Sequence, residues 1–348
     1  MGDPMTGIST KLLATAAITG AVFSFTTLPN TQSHAKELKI ATFMSPKHYL
    51  NRVAFKKLAE DIGKATSSST TAKVFPSGQL GKGPVQQYKR VLNNVAEISF
   101  VIQGYTSTIF PRTLIASKPG VGKTAKEITE KAWDIYDQYL SPEYTKVKML
   151  GIWSNTPASL IMKKKQVTKI EDVKGLKIRA LDATNVPMMN AWGASGVAMP
   201  ISKVYDALDK GVVDGVFAAI NVLFVPWRFS ESAKFVTDGM NSQSAMFLLA
   251  MNKKVWEGLS KGDQKAIDGL TGRDWSIKTA VGWAKPDLKA LARAKKGDAG
   301  LKYHQVSTAE KARFDAATSK AVNAYLESVE KKGIPGKAIY AKLTGKGS

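Results

Sequence analysis

The side chains that perform most biological chemistry are scarce in this sequence. It contains no cysteine and only three histidines, His34, His48 and His304. Thiol nucleophiles, CxxC redox pairs, cysteine zinc sites and disulfide frameworks are therefore excluded. His48 and His304 have no HxxxH-type neighbour, so no metal centre is expected. They would be the sole bases for a serine triad, and no GxSxG elbow accompanies them. Acidic residues are few and sit mostly in helical surface patterns, which argues against a paired-carboxylate glycosidase. These features make an enzyme improbable, with an exported hydrolase of unrecognised type as the alternative.

Two stretches carry more specific signals. Ser117 to Thr124 reads SKPGVGKT, close to the GxxxxGK[ST] loop whose backbone N–H groups cradle phosphate. Ser117 replaces the first glycine, and no later apolar strand ends in an acidic pair for magnesium. The stretch reads as a glycine-rich turn before a helix, with no nucleotide partner and no cofactor. The second runs from Lys174 to Phe217. It places Arg179 at the end of a strand, before a helix containing Trp192, then Gly193 to Pro200 (GASGVAMP), SKVYDALDKG and VVDGVF. An arginine at a strand end can face the crevice where α/β sheets bind ligands, and hold a carboxylate bidentately. Equally, a lone arginine there can form a surface salt bridge.

The elements that must position these residues alternate between strand and helix. Glu37 to Phe43, Thr71 to Phe75, Glu97 to Gln103, Val147 to Ile152, Leu160 to Met162, Leu176 to Leu181 and Val212 to Phe217 are predicted strands. Tyr49 to Thr66, Val85 to Val95 and Ala125 to Leu140 are predicted helices, and Lys261 to Lys296 and Thr308 to Lys332 form a helical tail. Pro286 is expected to kink the first tail segment. Such alternation predicts parallel α/β architecture. At 348 residues the chain is long enough for two domains. No repeat or low-complexity linker divides it, which suits two interleaved lobes.

Composition limits the partners. Hydrophobic residues make up 44% and charged residues 22%, as in globular chains. Lys and Arg total 50 against 28 acidic residues, a net charge of +22. The lysines are dispersed, with no basic arm and no aromatic-basic stacking motif, so nucleic acid is not expected. The excess reads as a solvated surface that helps attract anionic ligands.

Lys11 precedes an apolar run from Leu12 to Phe25, followed by a polar stretch ending Ser33-His34-Ala35. That is the pattern of a cleaved signal peptide. The run is shorter than the about 20 residues of a membrane span. Residues 1–35 are thus expected to be removed, leaving a soluble exported protein, most simply in a Gram-negative periplasm.

Taken together, the stretches KGLKIR and PISKVYDALDKGVVDG resemble the extracytoplasmic solute-binding proteins of TRAP transporters. So do the upstream ATFMSPKHYLNR, FPSGQLGKGPVQQY and EISFVIQGYTSTIFP, in order along nearly the whole mature chain. The resemblance implies a two-lobed periplasmic binding protein fold with a hinge and a long lobe-spanning helix. Residues 36–156 and 244–285 would form lobe I, and 157–243 and 286–348 lobe II. It also implies an organic acid as ligand and TRAP membrane permease subunits as partner, or a sensor kinase in their place. Arg179 would hold the carboxylate. Trp153, Tyr105, Phe217 and Met199 would surround an apolar body, with Ser159, Gln103 and Asn221 completing the pocket.

Departures from the family pattern bear on the ligand. Ser159 stands where many members carry a second arginine, and Ala218 where the sialic-acid branch has asparagine. The family's Arg-x-Pro is Arg179-Ala180-Leu181, and an often apolar hinge is Lys118-Pro119-Gly120. One anchored carboxylate with few polar partners disfavours sugar acids. It favours a monocarboxylate with an aromatic or branched apolar body, including 2-oxo and 2-hydroxy acids. A C4-type dicarboxylate is the runner-up.

Overall fold

The computed structural model describes residues 36–345. The expected signal peptide, 1–35, lies outside the described residues. Two sheets organise the chain. The first contains β1 (Lys36–Ala41), β2 (Thr70–Phe75), β3 (Ile98–Ile102), β4 (Val147–Ser154) and β10 (Met246–Asn252), in the order β2-β1-β3-β10-β4. The second contains β5 (Ser159–Met162), β6 (Lys177–Ala180), β7 (Ser195–Ala198), β8 (Gly215–Ala218), β9 (Phe235–Asp238) and β11 (Lys302–Gln305), in the order β11-β9-β5-β8-β6-β7.

The pairing is mixed rather than parallel throughout. β1 runs parallel to β2 and β3, whereas β10 is antiparallel to both β3 and β4. β3 and β10 are buried along their whole length, as strands covered on both faces must be, and both read as nearly unbroken apolar runs. In the second sheet β6 lies parallel to β7 and β8, while β5 is antiparallel to β8 and β9.

Strands β7, β9, β10 and β11 fall outside the predicted set. MFLLAMN, the sequence of β10, lacks alternation, and periodicity does not separate a buried strand from a buried helix. The predicted helix from Ala125 to Leu140 is regular only over Ala125–Asp134, after which Ile135 leaves helical geometry. The tail segment from Lys261 breaks into helices Lys261–Leu270 and Gly272–Lys295. Gly272, at φ +81°, adopts a left-handed conformation that other residues resist.

The chain crosses between the sheets several times. Residues 155–158 and 239–245 run side by side, joined by Ala158 N–H to Gln243 O (2.9 Å) and Ala245 N–H to Asn155 Oδ1 (2.7 Å). The long helix Gly272–Lys295 buries Ala280 and Trp283 against the first sheet's core and Ala290 and Ala294 against the second's. Pro286 lies between these halves. Helix Thr308–Glu330 also spans both sides, with Phe314 packed beside the second sheet and Val322, Leu326 and Val329 in a core shared with β10. Ile339 and Leu343 join that same core. The apolar stripe at the end of the chain is thus covered by residues of the first-sheet side.

Candidate functional site

A cleft with about 570 Å³ of atom-free space, open solvent at its mouth included, lies where the two sheets meet. Met44, Ile102, Tyr105, Phe247 and Trp283 wall it on one side, and Arg179, Leu181, Phe217, Ala218 and Val222 on the other. The crossing segments contribute Asn155, Thr156, Gln243 and Ser244. Its surface is thus largely apolar, with a few polar groups set into it, the usual make-up of a small-molecule site.

Arg179 is the cation of that wall. It sits on β6 between Val197 of β7 and Val216 of β8, with 1% of its surface exposed. Its Nε donates to the Met199 carbonyl at 2.9 Å, which fixes the plane of the guanidinium. One Nη2 contact reaches Tyr105 Oη at a long 3.5 Å, and Nη1 makes no hydrogen bond to a described residue. No described carboxylate forms an ion pair with it; the surface salt-bridge alternative does not occur. Burial works against its charge, with Tyr105 and Asp182 opposing that effect. A buried guanidinium without a paired anion is costly, so the site favours an anionic guest.

Tyr105 completes the polar corner. Its hydroxyl oxygen accepts from Ile201 N–H at 2.8 Å as well as from Arg179. Both contacts use its lone pairs, leaving the hydroxyl proton available to an acceptor in the cavity. Burial raises its pKa, keeping that proton in place.

Asp287, just after Pro286, braces the opposite end. It accepts from Asn221 N–H at 3.0 Å and from the Thr156 hydroxyl, tying β8's exit to the β4–β5 crossing. Burial pushes its carboxyl up to about 6. A second buried network flanks the cleft. Lys118 Nζ donates to Thr184 Oγ1 (2.8 Å) and Thr184 O (3.2 Å), and Asp182 accepts from Thr184 N–H (2.8 Å) and Oγ1–H (2.7 Å). Burial brings the Lys118 amine down to about 8, against the pull of Asp182.

Four of the expected site residues, Arg179, Tyr105, Phe217 and Asn221, line the cavity. Four others do not. Trp153 is fully buried in the first core, stacked on Phe100 at 5.7 Å and edge-on to Trp275 at 5.4 Å. It lies on β4 beneath the long helix, so its ring fills the layer between sheet and helix. Gln103 is buried and donates through Nε2 to Tyr144 Oη at 2.7 Å. Ser159, opposite Ala218, is buried within the β5–β8 ladder. Met199 serves through its carbonyl rather than its side chain.

Sequence reasoning missed Trp283, Phe247, Gln243 and Ser244. The last two precede β10, an element that had not been predicted. Trp283 belongs to a helix whose surface pattern gives no sign of a cavity. At SKPGVGKT, Thr124 Oγ1 accepts from Glu127 N–H at 3.1 Å and caps helix Ala125–Asp134. The Glu127 carboxylate accepts from Lys123 N–H at 2.8 Å, putting negative charge where a phosphate would sit. Among the described residues no cluster of acidic or histidine side chains suits a metal ion.

Comparison with known proteins places the chain in a family. Residues 40–328 match the family described as bacterial extracellular solute-binding protein, family 7 (DctP). The outer membrane transporter protein TsaT of Comamonas testosteroni is 26% identical over 339 residues, 94% of each chain. A TRAP periplasmic solute-binding protein from Bordetella bronchiseptica, solved with bound (R)- and (S)-mandelate, is 27% identical with a TM-score of 0.81. That alignment covers 89% of this chain and 98% of the other. A marine metagenome TRAP solute-binding protein specific for aromatic acid ligands superposes with a TM-score of 0.84 at 24% identity, over 89% and 98% of the two chains. The chain belongs to family 7 of the bacterial extracellular solute-binding proteins, the solute-binding proteins of TRAP transporters.

Proposed function

We propose that the protein captures an organic monocarboxylate with an aromatic or branched apolar body by lobe closure. It then delivers that ligand to the permease subunits of a TRAP transporter, without a chemical step. It would do so in the periplasm, after export and loss of residues 1–35. The observation that carries the reading is Arg179, a fully buried guanidinium with no ion-pair partner among the described residues, in the wall of a largely apolar cavity. The ligand carboxylate would take the Arg179 Nη groups and the Tyr105 hydroxyl proton. Phe217, Phe247 and Trp283 would enclose its apolar part.

The cavity supports one carboxylate better than two. Lys118 is not among the lining residues and is engaged by Thr184, so Arg179 is the one cation among the described residues of the wall. The mandelate bound by the Bordetella bronchiseptica relative is a ligand of the proposed kind.

Titration calorimetry on protein freed of ligand by unfolding and refolding tests the proposal. Phenylacetate and branched aliphatic acids should bind, and Arg179→Ala should weaken them by about 3 kcal/mol or more, roughly a hundredfold. Arg179→Lys should recover little, because an ammonium offers no planar pair of donors. Affinity unchanged within about threefold in Arg179→Ala would remove the role given to this residue. Binding confined to dicarboxylates would overturn the ligand class.

A further inference from the structure

We infer that Lys118, Thr184 and Asp182 form a polar latch between the two sheets, made when the lobes close and broken when they open. Lys118 is thereby a positioning residue for ligand capture. This rests on the lobe-closure reading above. Lys118 belongs to the first-sheet side, where its segment is pinned at both ends. Ser117 O accepts from Ser244 N–H at 3.0 Å, and Pro119 O accepts from the Tyr340 hydroxyl at 2.6 Å. Thr184 and Asp182 follow β6 of the second sheet. The Lys118 side chain nonetheless crosses to Thr184, 66 residues on, and keeps only 4% of its surface exposed.

One hydroxyl joins the two buried charges. Lys118 Nζ sits 3.9 Å from the centre of the Tyr325 ring and donates to Thr184 Oγ1 at 2.8 Å. Thr184 Oγ1 donates in turn to Asp182 Oδ1 at 2.7 Å. Such a pair is tolerated out of water only while both partners stay in place. Asp182 also rests on Gly104, so the exit of β6 meets first-sheet residues at two points. Arg179 lies on that same strand end, and the latch holds it over the cleft. Lys118 and Tyr325 face Thr184, Asn185 and Met188 across a narrow gap. Parting the lobes there would admit water, which would hydrate the ammonium and the carboxylate separately.

A proton reports whether the latch is made. Asp182, with Arg179 behind it, faces the ammonium from the end of β6. Tyr325, with Glu143 beyond it, faces it from helix Thr308–Glu330, and Tyr340 holds the next residue from helix Gly336–Thr344. Burial lowers the Lys118 amine from 10.5 to about 8 in this arrangement. Opening to water would return it to its ordinary value. The closed form therefore holds fewer protons between those two values, and closing releases one. Burial raises both tyrosines, so neither supplies that proton.

Calorimetry and stopped-flow binding of phenylacetate and 4-methylpentanoate to the ligand-free protein test the latch. Lys118→Met should weaken binding about tenfold or more through faster dissociation, with association held within about threefold. At pH 9, titrations in buffers of different ionisation enthalpy should show about 0.9 proton released by wild type. The Lys118→Met variant should release almost none. Thr184→Val should match it in affinity and Thr184→Ser should keep the wild-type value, which serves if Lys118→Met does not fold. Affinity within about threefold of wild type in the folded Lys118→Met and Thr184→Val variants would overturn the latch. So would a loss confined to ligand-free unfolding stability, or equal proton release in wild type and Lys118→Met. Those results, with binding still lost in Arg179→Ala, would leave the carboxylate reading standing. Binding weakened by Lys118→Met but indifferent to Arg179→Ala would overturn the carboxylate reading and support the latch. No binding of either acid would overturn the capture reading and the latch with it.

Discussion

The carboxylate of Asp182 rests against the backbone of Gly104, in space that a Cβ at position 104 would occupy. Gly104 follows β3 of the first sheet, and Asp182 follows β6 of the second. The contact therefore spans the cleft, and its cost on substitution should fall on closure. Gly104→Ala is expected to raise the dissociation constant for a bound acid about tenfold, within the ~1–3 kcal/mol of an overpacked site. Ligand-free stability should move by less than about 0.5 kcal/mol. Parallel urea melts and calorimetry check this. An equal loss in both would place the contact in the open form as well.

Trp153 separates packing from binding. Its ring is enclosed by Phe55, Phe100, Phe247 and Trp275 and does not reach the cavity. Trp153→Ala should destabilise the protein by about 3–5 kcal/mol in denaturant unfolding. Trp153→Phe should cost less and leave ligand affinity within about threefold. A larger affinity loss in the folded Phe variant would return Trp153 to the site.

The raised pKa of Asp287 gives a pH dependence of definite sign. With its carboxyl at about 6 in the folded chain, against about 4 unfolded, the folded state holds the extra proton between those values. Its contribution to stability is complete below about pH 4 and is lost as pH rises through about 6. Asp287→Asn cannot ionise. The stability of wild type minus variant should therefore fall by about 2–3 kcal/mol between about pH 4 and 6.5. A flat difference curve would show that Asp287 titrates normally.

Much of the scaffold was readable because its signals are local. β1 to β6 and β8 were predicted within a few residues, since each apolar run is bounded by turn residues. The turn at Gly120 to Thr124 was readable for the same reason, its cap needing only Thr124 and Glu127. Helix Thr308–Glu330 was legible as a helix but not as a bridge between cores, because which neighbour covers each part of its stripe is not written in its period.

Arg179 was identifiable because one residue type at a strand end, within an extended resemblance, has few uses. Its partners were not. Whether an aromatic side chain fills core or lines a cavity depends on what packs over it, and Trp153 and Trp283 exchange those roles with no difference in local pattern. Gln243 and Ser244 lie in an ordinary polar connection, and they join the cavity lining only when residues 155–158 are laid beside them. The sequence by itself determined the family and most of the elements, and singled out Arg179, because these rest on residue type and short spacing. The tertiary structure alone decided the contents of the cavity, because burial and unmet hydrogen bonds are properties of contacts between distant segments.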